Sequence, residues 1–139
     1  MSWLVTGGAG YIGSHVTQAM CDAGIPVVVI DDLSTGFAEF VAPTATFVEG
    51  TLLDGALVED TLRRNGVRGV IHVAGYKYAG ESVNRPLHTY EQNVTATVTL
   101  LSAMQRAGVE AIYAADGARA SVMVEVEAAG ASLRRSVTP

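Results

Sequence analysis

A short apolar run, Trp3-Leu4-Val5, ends at Thr6, and Gly7, Gly10 and Gly13 follow at three-residue spacing. Beyond them Ile12, Val16, Ala19 and Met20 recur with a helical period. Strand, glycine turn and helix in this order hold a dinucleotide pyrophosphate: the glycines let the backbone turn tightly and approach the phosphates, and the helix N-terminus presents free N–H groups. A glycine triplet alone also serves any tight strand-to-helix turn, but here the required strand and helix patterns flank it.

The rest of the chain repeats the strand–helix alternation. A first helix is expected from about Tyr11 to Ala23, stopped by Gly24, with Pro26 beyond. Val27-Val28-Val29-Ile30 is a continuous apolar run, the pattern of a strand buried on both faces, and it ends in Asp31-Asp32. Residues 33–43 read as a loop with room for one helical turn, and Thr46–Glu49 as a third strand. Asp54 caps a helix whose face is Leu57, Val58, Thr61 and Leu62, closed by Asn65-Gly66. Residues 70–74 predict a fourth strand, 75–87 a long loop, His88 to Ala107 a long amphipathic helix stopped by Gly108, and 111–114 a fifth strand. The expected fold is therefore α/β: a Rossmann-like, doubly wound parallel sheet of about five strands in the order 3-2-1-4-5, with right-handed crossovers. Its ligand crevice would lie between strands one and four, beyond their carboxyl ends.

Composition narrows the function classes. The 139 residues suffice for one domain with a real core, and 49% of them are hydrophobic. A net charge of −5 argues against non-specific nucleic-acid binding, and no segment approaches the roughly 20 apolar residues of a membrane span. No signal peptide is read at the N-terminus, and the single cysteine, Cys21, fits a reducing, cytoplasmic setting. Charge is uneven: residues 1–116 hold 6 Lys and Arg against 12 Asp and Glu, and residues 117–139 hold 3 against 2. The division read from this shift is a dinucleotide-binding domain at 1–116 and a tail of unknown structure at 117–139.

Asp31 lies 18 residues after Gly13, where such folds place an acid on the adenine ribose hydroxyls. A carboxylate accepts from two hydroxyls and repels a 2′-phosphate, and no Arg or Lys stands between Asp32 and Arg63, so NAD is favoured over NADP. Asp32 reads as a solvated neighbour or loop cap. Ala74-Gly75-Tyr76-Lys77-Tyr78 follows strand four beside the same crevice. Lys77, the only lysine, either meets a cofactor phosphate or is simply solvated, and its position alone does not choose. Tyr76 and Tyr78 pack on the cofactor or anchor the loop. His15, His72 and His88 show no metal-ligand spacing and read as structural.

TGGAGYIGSH, DDL at 31–33, VEGTLLD at 48–54 and above all HVAGYKYAGESVNRPLHTYEQNV at 72–94 resemble the UDP-glucose 4-epimerases of the extended short-chain dehydrogenase/reductase family. The resemblance runs from about residue 3 to 113 and implies tightly held NAD that takes hydride from the hexose C4 of a UDP-sugar and returns it to the other face. It matches Tyr11 and Ile12 to positions meeting the pyrophosphate, and Asp31 to the ribose acid. Ala74, Gly75 and Lys77 match the segment lining the cofactor, and Gln92 and Asn93 a polar pair holding the nicotinamide side and the loop. With Gly7, Gly10, Gly13, Asp32 and Leu52 these residues form the expected cofactor-binding set. The family also implies a homo-oligomer formed through the 88–107 helix.

Three departures bear on activity. Thr51 replaces a family aspartate near the adenine, and Ala114-Ala115-Asp116 replaces a run of serines near the sugar. The third is the catalytic pair, a tyrosine followed four residues later by a lysine, which occurs nowhere in the chain. Without that base the C4 hydroxyl proton has no acceptor, so no catalytic residue is assigned. The tail from Gly117 shows no family resemblance and begins where the charge shifts, as if an unrelated end followed an epimerase's first half; strand five would then present an open edge or lean on the tail. Three functions follow: an epimerase relative that binds NAD without turnover, a small NAD-binding or regulatory module docking on a full-length epimerase, or an enzyme with a different catalytic apparatus.

Overall fold

The computed structural model describes residues 1–114, 122–126 and 133–137. Chain order is β1 (Ser2–Thr6), α1 (Tyr11–Asp22), β2 (Val27–Asp31), a 3-10 turn (Ala38–Phe40), β3 (Thr46–Glu49), α2 (Gly55–Arg64) and β4 (Val67–His72). Then come α3 (Ala79–Asn84), α4 (Pro86–Tyr90), a π turn (Glu91–Thr95), α5 (Ala96–Ala107), β5 (Ala111–Ala114), β6 (Val122–Val126) and β7 (Leu133–Val137). The sheet runs β3-β2-β1-β4-β5-β6-β7. Its first five strands are parallel, in the expected order 3-2-1-4-5. β6 pairs antiparallel with β5, with Ile112 opposite Val124, and β7 antiparallel with β6. The outer edge of β5 is thus paired rather than open.

Alternate residues of the central parallel strands serve opposite layers. Leu4, Val28, Ile30, Val70 and Ile112 face α2 and α5, meeting Val58, Leu62, Leu100 and Met104. Val5, Val27 and Val29 face the other way, against Val16, Met20 and Cys21 of α1. Burial on both sides explains why β2 reads as an unbroken apolar run. Asp54 caps α2 as expected, its Oδ1 accepting from the Leu57 N–H at 3.0 Å. α2 and α5 are further joined at Glu59, which accepts from Arg63 at 3.0 Å and from Arg106 at 2.6 Å. Those two hydrogen bonds, Arg106 first, hold the Glu59 carboxyl below its usual range.

The structure differs from the sequence reading in three places. β4 spans Val67–His72, not 70–74: the Val73 N–H is shared between the Thr6 carbonyl at 3.3 Å and the Thr6 hydroxyl at 3.2 Å, and the Ala74 N–H turns to that hydroxyl at 3.2 Å. The expected 75–87 loop contains α3, where Glu81 sits in the first turn. The long helix begins at Pro86, whose fixed φ and missing N–H suit a first position, and it carries the π turn in mid-course.

The packing of α5 sets a test. Leu100 is fully buried and Val98 is 57% exposed. Leu100→Ala is expected to lower the unfolding free energy by about 3 kcal/mol, and Val98→Glu by less than about 0.5 kcal/mol. Urea unfolding followed by the fluorescence of Trp3 measures both.

Candidate functional site

The glycine turn is held by contacts no side chain could share. Gly7 adopts φ +69°, and a Cβ there would lie 2.8 Å from the Ala74 Cα. At Gly13 a Cβ would fall 2.1 Å from the Gly7 carbonyl oxygen, so only glycine lets α1 begin directly beneath the turn. The helix starts with neither a side-chain cap nor an acid in its first turn. Its first bond runs from the Ser14 N–H to the Gly10 carbonyl at 2.9 Å, which leaves the N–H groups of Tyr11, Ile12 and Gly13 ahead of it.

Asp31 ties this turn to β2. Its Oδ2 accepts from the Ala9 N–H at 3.0 Å and its Oδ1 from the Leu33 N–H at 2.9 Å. The Ala9 carbonyl in turn accepts from the Phe37 N–H at 3.0 Å, so the loop after β2 straps the turn from both sides. Leu33 holds φ +58°, a left-handed conformation that non-glycine residues visit at a cost of about 1–2 kcal/mol. Each Asp31 oxygen keeps further acceptor capacity for a ligand hydroxyl. Asp32 Oδ1 accepts from the Ser34 N–H at 3.0 Å, within the loop after β2.

Opposite β2 stands the segment after β4. Asn93 grips it, its Oδ1 accepting from the Tyr76 N–H at 2.7 Å and its Nδ2 donating to the Tyr76 carbonyl at 2.9 Å. The Tyr76 ring meets Tyr78 and His88 edge-on, each at 5.2 Å between centroids. His72 lies below, with Nδ1 2.7 Å from Thr6 Oγ1 and Nε2 3.2 Å from Thr97 Oγ1. Burial holds its imidazole below the usual range.

Between these walls lies a crevice of about 380 Å³. It is lined by Gly7, Gly10, Tyr11, Ile12 and Gly13 from the turn and by Asp31 and Asp32 from β2. Leu52, Ala74, Gly75, Lys77 and Gln92 complete the expected residues brought to it. Asn93 is the exception, engaging the loop rather than the crevice wall. Lys77 makes no ion pair among the described residues. Thr51 also lines the crevice, its Oγ1 accepting from the Leu53 N–H at 3.2 Å. The sequence reading did not assign Ile30, Ser34, Thr35, Gly50, Val73 or Ala96, which share this surface. Five of the six follow from their place at or just beyond the carboxyl ends of β2, β3 and β4; Ala96 follows only from the course of the helix.

His15 lies apart, its ring tilted against Tyr11 with 4.7 Å between centroids. Among the described residues no three His, Cys, Asp or Glu side chains gather as metal ligands, and no helix is long and apolar enough to cross a membrane. Residues 115 and 116, where the family serines would fall, lie outside the described residues, as does most of the 117–139 tail.

Ligands of open parallel sheets bind where the strand order reverses, beyond the carboxyl ends. The crevice occupies that point, between β1 and β4, and makes the molecule a Rossmann-like, doubly wound α/β protein with a nucleotide-type site. Residues 3–121 match the NAD dependent epimerase/dehydratase family, eight residues beyond the resemblance read above, and the chain belongs to that family. It is 47% identical over 109 residues to UDP-glucose 4-epimerase of Azospirillum brasilense, covering 78% of this chain and 31% of that protein. It is 41% identical over 117 residues to a UDP-glucose 4-epimerase of Klebsiella pneumoniae, covering 79% of this chain and 84% of that sequence. The crystal structure of UDP-glucose 4-epimerase from Brucella ovis in complex with NAD superposes with a TM-score of 0.77 at 40% identity, over 80% of this chain and 34% of that one. The chain spans about a third of the length of the Azospirillum and Brucella proteins.

Gly13→Ala tests the turn. With the added methyl driven into the backbone of Gly7 and Gly8, it is expected to lower stability by about 2–3 kcal/mol. Gly80→Ala, which meets nothing within 4 Å in α3, is expected to be neutral or stabilising. Chemical denaturation of the two variants gives the comparison.

Proposed function

We propose that this chain is the NAD-holding portion of a UDP-glucose 4-epimerase-like protein and does not by itself interconvert UDP-galactose and UDP-glucose. The observation that carries the reading is the uncapped start of α1 facing the crevice, with Asp31 on one side and the Ala74–Tyr78 segment on the other. The residues present fit the cofactor. A pyrophosphate suits the Tyr11, Ile12 and Gly13 N–H groups, and the adenine ribose hydroxyls suit the free acceptor positions of Asp31. Leu52 and Asp32 border the same end, whereas Gly75, Lys77 and Gln92 border the nicotinamide half. NAD, when bound, accepts and returns a hydride. The chain's own residues bind, orient and shield it, but none is assigned to take the hydroxyl proton, since no Tyr-x-x-x-Lys occurs in the sequence.

The dinucleotide-binding unit is placed at residues 1–116, and the single cysteine fits a cytoplasmic setting. A UDP-sugar is a partner only through the family. Association through the long helix is also part of the reading. Leu87, Tyr90, Val94 and Val98 are 83%, 66%, 51% and 57% exposed at three- and four-residue spacing, an apolar stripe open to a second copy or to a full-length relative.

Calorimetry on the purified chain tests the cofactor reading. NAD is expected to bind at least about tenfold more tightly than NADP, whose 2′-phosphate would face the carboxylates of Asp31 and Asp32. Equal affinities would contradict the assignment of Asp31. UDP-galactose supplied with NAD is expected to remain unconverted, and turnover above the blank would refute the absence of catalysis. Val98→Glu is expected to shift sedimentation towards the monomer; an unchanged mass would remove the helix from any interface.

A further inference from the structure

The hydrogen bonds around His72 have a direction. Thr6 Oγ1 accepts from the N–H groups of Val73 and Ala74, so its own proton must be given away. The His72 Nδ1, 2.7 Å distant, is the acceptor at hand, which makes it the unprotonated ring nitrogen. The proton of the neutral ring then sits on Nε2 and donates to Thr97 Oγ1 at 3.2 Å. Thr97, its oxygen filled by that donor, gives its proton to the Asn93 carbonyl at 2.6 Å. Every donor in this chain finds an acceptor, and reversing any member leaves two donors or two acceptors facing each other.

The far end of the chain is the π turn Glu91–Thr95. Such turns insert one residue into a helix and are often found at functional sites. Thr97 stands four residues after Asn93, and its hydroxyl donates to the Asn93 carbonyl inside that turn. Restoring an ordinary α register would rotate Asn93 by about 100° about the axis and take its amide off Tyr76.

We propose that His72 and Thr97 are positioning residues for the nicotinamide half of the crevice: the one-directional chain Thr6–His72–Thr97–Asn93 fixes the π turn from which Asn93 grips the Tyr76 peptide. The assignment of that half rests on the proposed NAD function; the link between Thr97 and the grip on Tyr76 does not. Two ends of the same loop are thereby set by one network, because Thr6 holds Val73 and Ala74 while Asn93 holds Tyr76. Neither His72 nor Thr97 touches the crevice, so their effect passes through the loop alone.

The test uses the full chain and three readouts. Ring nitrogen NMR of the unliganded protein should show His72 neutral with its proton on Nε2; a proton on Nδ1 would overturn the direction of the chain. Calorimetry with NAD and with ADP separates the two halves of the crevice, since ADP engages only the turn and the Asp31 side. Thr97→Val should weaken NAD about tenfold and leave ADP within about twofold, and Thr97→Ser should restore NAD. Unchanged NAD affinity in Thr97→Val, or equal losses for NAD and ADP, would overturn the proposal. Amide exchange at Tyr76 is the readout independent of cofactor. It should quicken about tenfold in Thr97→Val and return to the original rate in Thr97→Ser. Should Thr97→Val fail to fold, Thr97→Ala replaces it, and unchanged protection of Tyr76 in either variant refutes the link. A chain that binds no NAD yet shows the Tyr76 effect defeats the functional reading and leaves the network standing.

Discussion

The contact on which the rest depends is the approach of α1 to the end of β1, where Gly13 lies against the Gly7 carbonyl with no room for a methyl group. That approach places an uncapped helix N-terminus at the carboxyl edge of the sheet, where its N–H groups and dipole favour an anion. It also explains the surrounding construction. Asp31 holds the Ala9 N–H, Phe37 holds the Ala9 carbonyl, and Gly7 backs onto Ala74, so both neighbouring loops are locked to one turn. A shift of the turn would therefore move both walls of the crevice together.

The sheet supplies the frame for this arrangement. Central strands buried on both faces leave only their ends free for chemistry, so the lining residues outside the helices lie at the end of β2 or in loops at one edge of the sheet. The polar network under the β4 end is one exception to the apolar interior. Thr6 and His72 would be costly there if unpaired, and each finds its partner across an element boundary: Thr6 on the segment after β4, His72 on α5. Such a network fixes the relative placement of β1, β4 and the long helix more sharply than aliphatic contacts would.

Much of this was legible in the sequence because local chemistry and global fold agree. The glycine spacing, the apolar run at 27–30, the Asp54 cap and the Gly108 stop each point to the element that forms, and the order 3-2-1-4-5 follows from their alternation. The misplaced end of β4 has a long-range cause, since the hydroxyl of Thr6, more than sixty residues away in sequence, takes the Ala74 N–H and shares that of Val73 with the Thr6 carbonyl. The π turn left no periodic trace, because one inserted residue shifts the hydrophobic stripe by less than the stripe's own width. Asn93 was legible as a holder of the loop only through family resemblance; its bidentate grip on Tyr76 depends on that turn. The pairing of β6 with β5 was equally hidden, as the tail beyond residue 116 gave no defined structure to place beside β5.

The described residues form a nucleotide-type crevice lined by the glycine turn, Asp31 and the segment after β4, and holding NAD there is the central claim. Amide chemical-shift mapping with added NAD tests that account most directly. Shifts concentrated at Tyr11, Ile12, Gly13, Ala74 and Tyr76 are the result expected. No shift at millimolar NAD, or shifts confined to the exposed face of α5, would contradict it.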